Sequence, residues 1–211
     1  NQHILFTTKT GVIKKSNLSS YRNIRKGGII AINIEDGDEL IAALMTNGHN
    51  EIVLITKDGM SIRFSEDGIR DMGRTATGVW GIRPAKGDFV IGAALVVADT
   101  TLLVAGANGV GKRTEFDEYR LQGRGGKGII TMKVTDKTGV VVGALSVRET
   151  DEIMLMTSGG QSVRTRVSEI RMTGRNAQGV RLIGLGEGEK LQAMAPVVSQ
   201  SMEEEIESVE I

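Results

Sequence analysis

The chain has 211 residues, 40% of them apolar, and its 26 Lys and Arg balance its 26 Asp and Glu. This length and composition predict a folded protein of one or two domains with a substantial core. The lack of cysteine excludes disulfides, thiolate metal sites and a thiol nucleophile, and it fits a reducing compartment. No apolar run approaches the roughly 20 residues of a membrane span. We therefore expect a soluble, cytoplasmic protein with no membrane partner.

The charge balance averages two unlike regions. Residues 202–211 read MEEEIESVEI and contain five Glu and no cation. Residues 1–201 therefore hold 26 cations against 21 acidic residues. We expect one domain over 1–201 and a disordered acidic tail over 202–211. A basic body with an acidic tail favours a polyanionic partner, although a merely solubilising tail gives the same pattern.

Four stretches of the chain align without gaps. Each has an apolar run of strand length, a turn with glycine at a fixed place, and a second run that ends in a cation. This pattern predicts a β-hairpin. The four stretches are ILFTTKTGVIKK (4–15), IVLITKDGMSIR (52–63), LLVAGANGVGKR (102–113) and IMLMTSGGQSVR (153–164).

Two further strand-like runs follow each hairpin, so the repeating unit has about 50 residues and about four strands. Long helical periodicity is absent, and 28 glycines mark frequent turns. Four-stranded sheets at this spacing are typical of propeller blades. The alternative, a row of separate small β-domains, is disfavoured because one unit alone is too small to bury its sheet. The predicted units cover about 4–51, 52–101, 102–152 and 153–198.

One stretch has the spacing of a nucleotide-binding loop, G-x-x-x-x-G-K, over residues 106–113. Arg113 stands where Ser or Thr would hold magnesium, and no helix is predicted to follow. Gly109 is the repeated turn glycine of the hairpin. Lys112 falls on a strand, at the position of Lys14, Ile62 and Val163. We therefore predict a hairpin turn here and no ATP site.

Candidate catalytic residues are few. His3 and His49 have no recurring partners, and two histidines without cysteine are a poor basis for a metal site. Tyr21 and Tyr119 occupy equivalent positions that are isoleucine in the other two units. A position that accepts Tyr or Ile packs in a core. We predict no catalytic residue, no metal site and no cofactor.

Positive charge recurs in register in all four units. A first set of cations ends each hairpin: Lys15, Arg63, Arg113 and Arg164. A second set lies seven residues later: Arg22, Arg70, Arg120 and Arg171. A third set lies ten or eleven residues after the first: Arg25, Arg74, Arg124 and Arg175. Lys26 and Lys127 are further candidate contacts beside the third set.

Eleven of these twelve cations are Arg, whose rigid fork of donors suits phosphate. Cations that only kept strand edges from aggregating would be exchanged freely with other charged residues. Equivalent positions in a radial repeat lie at equal radius, so we predict three cationic belts around one rim, with duplex DNA bent around it. Few aromatic residues are present to stack single-stranded bases, and no helix or ribbon is predicted for the major groove. Phosphate contacts alone predict sequence-tolerant, salt-dependent binding.

These features resemble the C-terminal domain of the DNA gyrase A subunit, over essentially the whole chain. The resemblance rests on the repeat, on the G-R-x-x-x-G loops at 73–78 and 174–179, on the acidic tail and on one further loop. That loop is a degenerate version of the family's gyrase box, Q-(R/K)-R-G-G-(R/K)-G. It comprises Gln122, Gly123, Arg124, Gly125, Gly126, Lys127 and Gly128.

The resemblance implies a β-pinwheel, a propeller variant whose blades exchange strands, with duplex DNA wrapped around its basic perimeter. Wrapping supports negative supercoiling by gyrase, which is an A2B2 assembly with the gyrase B subunit. The nucleophilic tyrosine and the ATPase lie elsewhere in that enzyme, where ATP and magnesium act, so the domain itself is non-catalytic. The family's domain has six blades, and this chain looks like the last four with the tail. Gly123 replaces a cation of the box, which normally lies on the first blade.

Two alternatives keep the fold. The first is the C-terminal domain of the topoisomerase IV A subunit, which bends DNA without a full wrap. The second is a propeller that binds proteins, although that function predicts variety between units rather than recurring cations. The acidic tail is a candidate competitor of DNA for the rim.

Overall fold

The computed structural model describes residues 2–197, which form fifteen β-strands and four short 3-10 turns. The acidic tail predicted at 202–211 lies outside the described residues. Within 2–197 no helix is long and apolar enough to cross a membrane. The strands are β1 His3–Thr8, β2 Val12–Asn17, β3 Leu40–Thr46, β4 Glu51–Thr56, β5 Met60–Ser65, β6 Val79–Trp80, β7 Val90–Val96, β8 Thr101–Gly106, β9 Val110–Glu115, β10 Ile129–Ile130, β11 Val141–Val147, β12 Glu152–Thr157, β13 Ser162–Arg166, β14 Val180–Arg181 and β15 Leu191–Pro196. The 3-10 turns are Leu18–Tyr21, Glu66–Gly68, Phe116–Glu118 and Val167–Glu169.

The strands form four antiparallel sheets, and neighbouring units exchange strands. The first sheet has the order β3-β1-β2-β6, so the second unit supplies its fourth strand. In the same way β10 completes the sheet of β4, β5 and β7, and β14 completes that of β8, β9 and β11. The fourth sheet contains β13, β12 and β15 among the described residues. The predicted all-β fold of four repeated blades is confirmed, and strand exchange is the arrangement expected of a β-pinwheel.

Each sheet has an inner and an outer edge. The strands β3, β7, β11 and β15 pack against their counterparts in the adjacent sheets. The donated strands β6, β10 and β14 lie at the opposite edge of their sheets. The perimeter of the molecule is therefore built from residues that each unit sends to the unit before it.

Three hydrophobic cores lie between successive sheets. Strand β4 contributes to two of them, because Ile52 and Leu54 pack towards the first sheet while Val53 and Ile55 pack towards the third. All four side chains are fully buried. A strand buried on both faces requires an uninterrupted apolar run. This explains why each hairpin begins with consecutive apolar residues instead of an alternating pattern.

The repeated turn glycine has a packing role at three of the four hairpins. At Gly59, with φ of +85°, an added Cβ would lie 1.9 Å from the carbonyl oxygen of Met132 in the next unit. At Gly160, with φ of +81°, no atom of the described residues lies within 4 Å of such a Cβ. The backbone conformation requires glycine at both turns, but in the described part of the chain only the first one contacts a following unit.

Candidate nucleic-acid interface

Three crossing segments, residues 70–80, 120–130 and 171–181, carry the chain from one unit to the outer edge of the preceding sheet. Each begins just after a 3-10 turn and ends in a donated strand. On the way, the backbone N–H groups of Met72, Gln122 and Thr173 donate to carbonyl oxygens of the preceding unit at 2.8, 2.9 and 2.8 Å. These bonds place the crossing segments along the outer side of β2, β5 and β9. The second and third sets of cations lie on these segments, at the perimeter.

The second set of cations is exposed. Arg70, Arg120 and Arg171 each follow a 3-10 turn at the start of a crossing segment, and Arg22 has the same place in the first unit. Within residues 2–197 none of the four forms a salt bridge. Their guanidinium groups are therefore available to an anionic partner.

The third set links one crossing segment to the next. The guanidinium of Arg124 donates to the carbonyl oxygen of Trp80, at the end of the preceding crossing segment, at 3.1 Å. Arg74 and Arg175 donate in the same way to Ile30 and Ile130, at 2.8 and 2.6 Å. Because one guanidinium has five donors, each arginine keeps further N–H groups for another acceptor. The outer rim is thus a connected series of arginine-bearing loops.

The remaining predicted contacts are also on the outside. Arg25, Lys26 and Lys127 are exposed. The first two lie in the first unit, in a stretch equivalent to a crossing segment, where Ile30 is 60% exposed.

Three cations of the first set contact the next unit instead of lying on the rim, which corrects the expectation of a third exposed belt. Arg113 is buried, and its guanidinium donates twice to the carbonyl oxygen of Ile170, at 3.1 and 2.9 Å. It also pairs with Glu149. Lys15 is buried and donates to the carbonyl oxygens of Glu66 and Ile69, at 3.3 Å each. Ile69 and Ile170 each directly follow a 3-10 turn of the next unit, and these cations bind their carbonyl oxygens there.

Of the other two members of the first set, Arg63 contacts the next unit, and Arg164, within the described residues, does not. Arg63 donates to the carbonyl oxygens of Phe116 and Tyr119, at 2.7 and 3.2 Å, and pairs with Glu51. Arg164 belongs to the last unit, its side chain is 60% exposed, and it pairs with Glu152. Among the described residues, no following unit covers it.

Two further lysines lie beneath the loops of the rim, and sequence analysis assigned them no role. Lys14 is fully buried, and its ammonium donates to the carbonyl oxygens of Ala31, at 2.8 Å, and of Gly73 and Arg74. Burial lowers its pKa, and the Arg74 charge lowers it further. A position shared with Ile62 and Val163 indicates burial, and that was the available signal.

Lys112 is the counterpart of Lys14 under the loop of the fourth unit. Its ammonium donates to the carbonyl oxygens of Gly174, at 3.3 Å, of Ala177, at 2.8 Å, and of Arg175. Burial lowers the pKa of Lys112 to about 8, with Glu118 acting to raise it and Arg175 to lower it. Lys112 lies in β9, as predicted, with its donors directed to carbonyl groups. This is the geometry of a loop anchor and not of a nucleotide-binding loop.

The loop resembling the gyrase box, residues 122–128, is held by its backbone. The N–H of Gly125 donates to the carbonyl oxygen of Gly81 at 2.6 Å, and the N–H of Arg83 donates to the carbonyl oxygen of Gly126 at 2.9 Å. Ile62 lies beneath this loop, where an added Cβ on Gly126 would be 3.7 Å from its Cδ1. Gly123 and Gly128 complete the stretch, and Gly123 borders open space.

An exposed aromatic residue adjoins this loop. Trp80, the only tryptophan of the chain, is 41% exposed at the end of a crossing segment. The Arg83 guanidinium carbon lies 5.6 Å from the centroid of its ring. The sequence around Trp80 gives no sign that the donated strand exposes it.

The site contains cations and little else that is chemically reactive. Within residues 2–197 no group of three or more His, Cys, Asp or Glu is arranged to hold a metal ion. His3 and His49 contact Asp71 and Asp67, respectively. Tyr119 is buried in the core between the second and third sheets, as predicted. The arrangement suits binding of an extended polyanion along the rim.

Comparison with known proteins shows that this chain is similar to part of several DNA gyrase A subunits. The chain is 42% identical over 208 residues to the DNA gyrase A subunit of Salmonella typhimurium, covering 99% of the chain and 24% of that protein. It is 43% identical over 195 residues to the DNA gyrase A subunit of Mycolicibacterium smegmatis, covering 92% of the chain and 23% of that protein. The chain therefore spans about a quarter of the length of these relatives.

Two solved structures share the fold. The C-terminal domain of DNA gyrase A superposes with a TM-score of 0.84 at 26% identity, covering 94% of this chain and 66% of that one. The C-terminal domain of DNA topoisomerase IV superposes with a TM-score of 0.87 at 25% identity, covering 93% and 62%. The family described as "DNA gyrase C-terminal domain, beta-propeller" matches residues 2–47, 50–96, 100–148 and 151–197. The chain belongs to this family of gyrase C-terminal domains.

Proposed function

We propose that this chain binds duplex DNA along its outer rim and bends it around the sheets, as the DNA-wrapping domain of gyrase. One observation carries the proposal. Exposed arginines recur on every crossing segment, and the third set joins these segments into a continuous perimeter. Arginine is suited to phosphate, and phosphate contacts hold a duplex without reading its sequence.

Bending sets a requirement that a single patch of charge does not meet. Bending a duplex by 40–90° over two to three turns costs on the order of 1–6 kcal/mol. Contacts must therefore recur along the curve, and the spacing of one crossing segment per unit provides them. The contacts we propose are the second and third sets of cations with Lys26 and Lys127. We assign Lys15, Arg63 and Arg113 to contacts between units, because their side chains are at most 15% exposed and bind carbonyl oxygens of the next unit. Arg164, which is 60% exposed, stays a candidate DNA contact.

For the whole protein we propose a place in a DNA gyrase, because its relatives are DNA gyrase A subunits. The domain acts in the cytoplasm within an A2B2 assembly with the gyrase B subunit, where it supports ATP-dependent negative supercoiling. Its own contribution is binding and shape. Strand breakage and ATP hydrolysis belong to other parts of that assembly.

Binding of a mixed-sequence duplex at increasing salt concentration tests the proposal. Each phosphate contact contributes about −0.9 to the slope of log K against log salt. The triple variant Arg70→Ala, Arg120→Ala, Arg171→Ala should reduce that slope by about 3 and keep its circular dichroism spectrum. The emission of Trp80, beside the rim, gives a second readout of binding.

The matched control removes three exposed cations outside the crossing segments, Lys86→Ala, Arg148→Ala and Lys190→Ala. It has the same net charge as the rim variant and should keep a slope within about 1 of the wild type. Affinity that does not change with salt contradicts the proposal. So does an equal loss in the two triple variants, because net charge alone would then explain binding.

Bending without a complete wrap is the second candidate, as proposed for a topoisomerase IV domain. The similar TM-scores of the two solved structures favour it as much as wrapping. The gyrase A relatives at 42% and 43% identity favour wrapping. Sealing a nicked plasmid in the presence of the chain separates the candidates, because a wrap of fixed hand changes the linking number and a planar bend does not.

A further inference from the structure

Lys14 and Lys112 are buried cations beneath the loops of the rim. Within residues 2–197 neither forms a salt bridge, and both ammonium groups are enclosed by backbone carbonyl oxygens. A buried charge is unfavourable unless it is paired with an opposite charge or well hydrogen bonded. Three carbonyl groups satisfy the hydrogen bonds of each ammonium but carry no negative charge, and Glu118 acts on Lys112 without forming a salt bridge to it. Each lysine therefore places a positive charge directly beneath the rim.

The carbonyls that surround each ammonium belong mainly to the loop carrying a third-set arginine. Lys112 holds residues 174, 175 and 177 of the loop 174–179. Lys14 holds residues 73 and 74 of the loop 73–78. Each lysine therefore fixes the backbone of an arginine whose side chain is on the outer surface, and it adds a second positive charge below that arginine.

The remaining loop of the rim, residues 122–128, also combines an arginine and a lysine, but in a different arrangement. Its arginine is Arg124, and the position beneath it is Ile62, which has no charge. The loop itself contains Lys127, where the other two loops have Thr77 and Gln178. Every loop thus combines one arginine and one lysine. In the loops 73–78 and 174–179 the lysine lies beneath the loop. In the loop 122–128 it is part of the loop.

We propose that Lys14 and Lys112 are positioning residues of the DNA contact, each holding a rim loop in shape and adding a fixed positive charge that a bound phosphate compensates. This inference rests on the proposed DNA-binding function. It assigns a role to two buried lysines that cannot touch DNA themselves. It also interprets Lys127 as the residue that replaces them in the loop 122–128.

Proton linkage distinguishes this role from plain packing. The pKa of Lys112 is lowered to about 8 by burial, and the charged groups that face it are Glu118 and Arg175. Tyr119 is also near these two groups, but burial raises its pKa, so it stays protonated in the same range. A phosphate bound outside the loop stabilises the charged ammonium, so DNA binding near pH 8 should be accompanied by proton uptake.

In the absence of DNA, the free energy of unfolding changes with pH in the opposite direction to the DNA affinity. The folded-state pKa of Lys112 is below its unfolded value, so the unfolded chain binds more protons between the two values. The free energy of unfolding should therefore rise with pH from about 8 towards 10.5, while DNA affinity falls over the same range. A lysine that served only packing would give the first trend without the second.

The test uses the 211-residue chain, a mixed-sequence duplex, and calorimetry near pH 8 in two buffers of different ionisation enthalpy. Wild type should take up a measurable fraction of a proton on binding. Lys112→Met should bind about three- to tenfold more weakly at pH 7 and lose most of that uptake. Lys127→Thr should weaken binding by a similar factor and keep the uptake, because its side chain lies on the surface. Lys86→Met, outside the crossing segments, should change neither by more than about twofold.

Each outcome decides between the proposals. If wild type does not bind DNA, the proposed function fails. If wild type binds and Lys112→Met retains both the affinity and the proton uptake, only the positioning role fails. If Lys112→Met does not fold, the wild-type measurement still decides, because binding without proton uptake near pH 8 overturns the role.

Discussion

The hairpins of the first three units and the hairpin of the fourth have one sequence pattern and two environments. In the third unit, Arg113 is 5% exposed and holds the carbonyl oxygen of Ile170 in the next unit. In the fourth unit, Arg164 is 60% exposed and pairs with Glu152 of its own hairpin. Strand β9 has neighbours on both sides, whereas β13 has one neighbour, β12, among the described residues. The comparison shows that one sequence pattern gives a buried cation where a following unit packs against the hairpin, and an exposed cation where, within the described residues, none does.

Substitution of the turn glycine should give the largest difference in stability between a covered hairpin and the fourth hairpin. Gly59→Ala places a Cβ 1.9 Å from the Met132 carbonyl oxygen, and it forces a positive φ on a residue with a side chain. We expect it to lower the free energy of unfolding by about 3–4 kcal/mol, from overpacking together with backbone strain. Gly160→Ala meets only the strain and should cost about 1 kcal/mol.

Denaturation in urea, followed by circular dichroism, measures both variants. Equal losses would contradict the difference in packing. In that case the turn conformation alone, and not the close approach of the next unit, would account for the repeated glycine.

Removal of a first-set cation should have the next largest effect. Arg113→Met leaves the Ile170 carbonyl without its two side-chain donors and breaks the pair with Glu149. We expect a loss of about 2–3 kcal/mol in the free energy of unfolding. Arg164→Met breaks an exposed pair and should cost less than about 1 kcal/mol.

The same two variants separate stability from DNA binding. Arg113→Met should keep the salt slope of duplex binding in conditions where it remains folded, because its guanidinium faces the next unit. A reduced slope for the folded variant would mean that the first set of cations contacts DNA after all.

Much of the fold was predictable because its signals are local and repeated four times. The apolar runs, the turn glycine and the spacing of the units predict hairpins, blades and an all-β class, and the structure confirms them. The separation of the cations into two environments was not predictable by recurrence, since Lys15 and Arg22 recur equally well. It depends on which side of a strand faces the neighbouring sheet, and strand exchange determines that.

A stricter interpretation of the same sequence would have found part of the difference. Consecutive apolar residues such as Ile52 and Val53 show that both faces of the hairpin are buried. A cation at the end of such a hairpin is therefore expected to face a neighbour, as Arg63 and Arg113 do and Arg164 does not. The loop anchors Lys14 and Lys112 carry a similar signal, because a position that is Ile62 in another unit lies in an apolar environment.

Hydrogen exchange should show the smallest difference between the third and fourth hairpins. In β9, Val110 and Gly111 pair with the donated strand β14, and Gly111 also pairs with Ala105 of β8. In the described residues, β13 pairs with β12 alone. Amide groups on its outer side have no strand partner there, so we expect them to exchange at least about tenfold faster than the outer amides of β9. Mass spectrometry of peptides covering 110–115 and 162–166 measures this. Equal protection would mean that the outer edge of β13 is covered in solution, and the comparison between the third and fourth units would then hold for side-chain packing but not for the backbone.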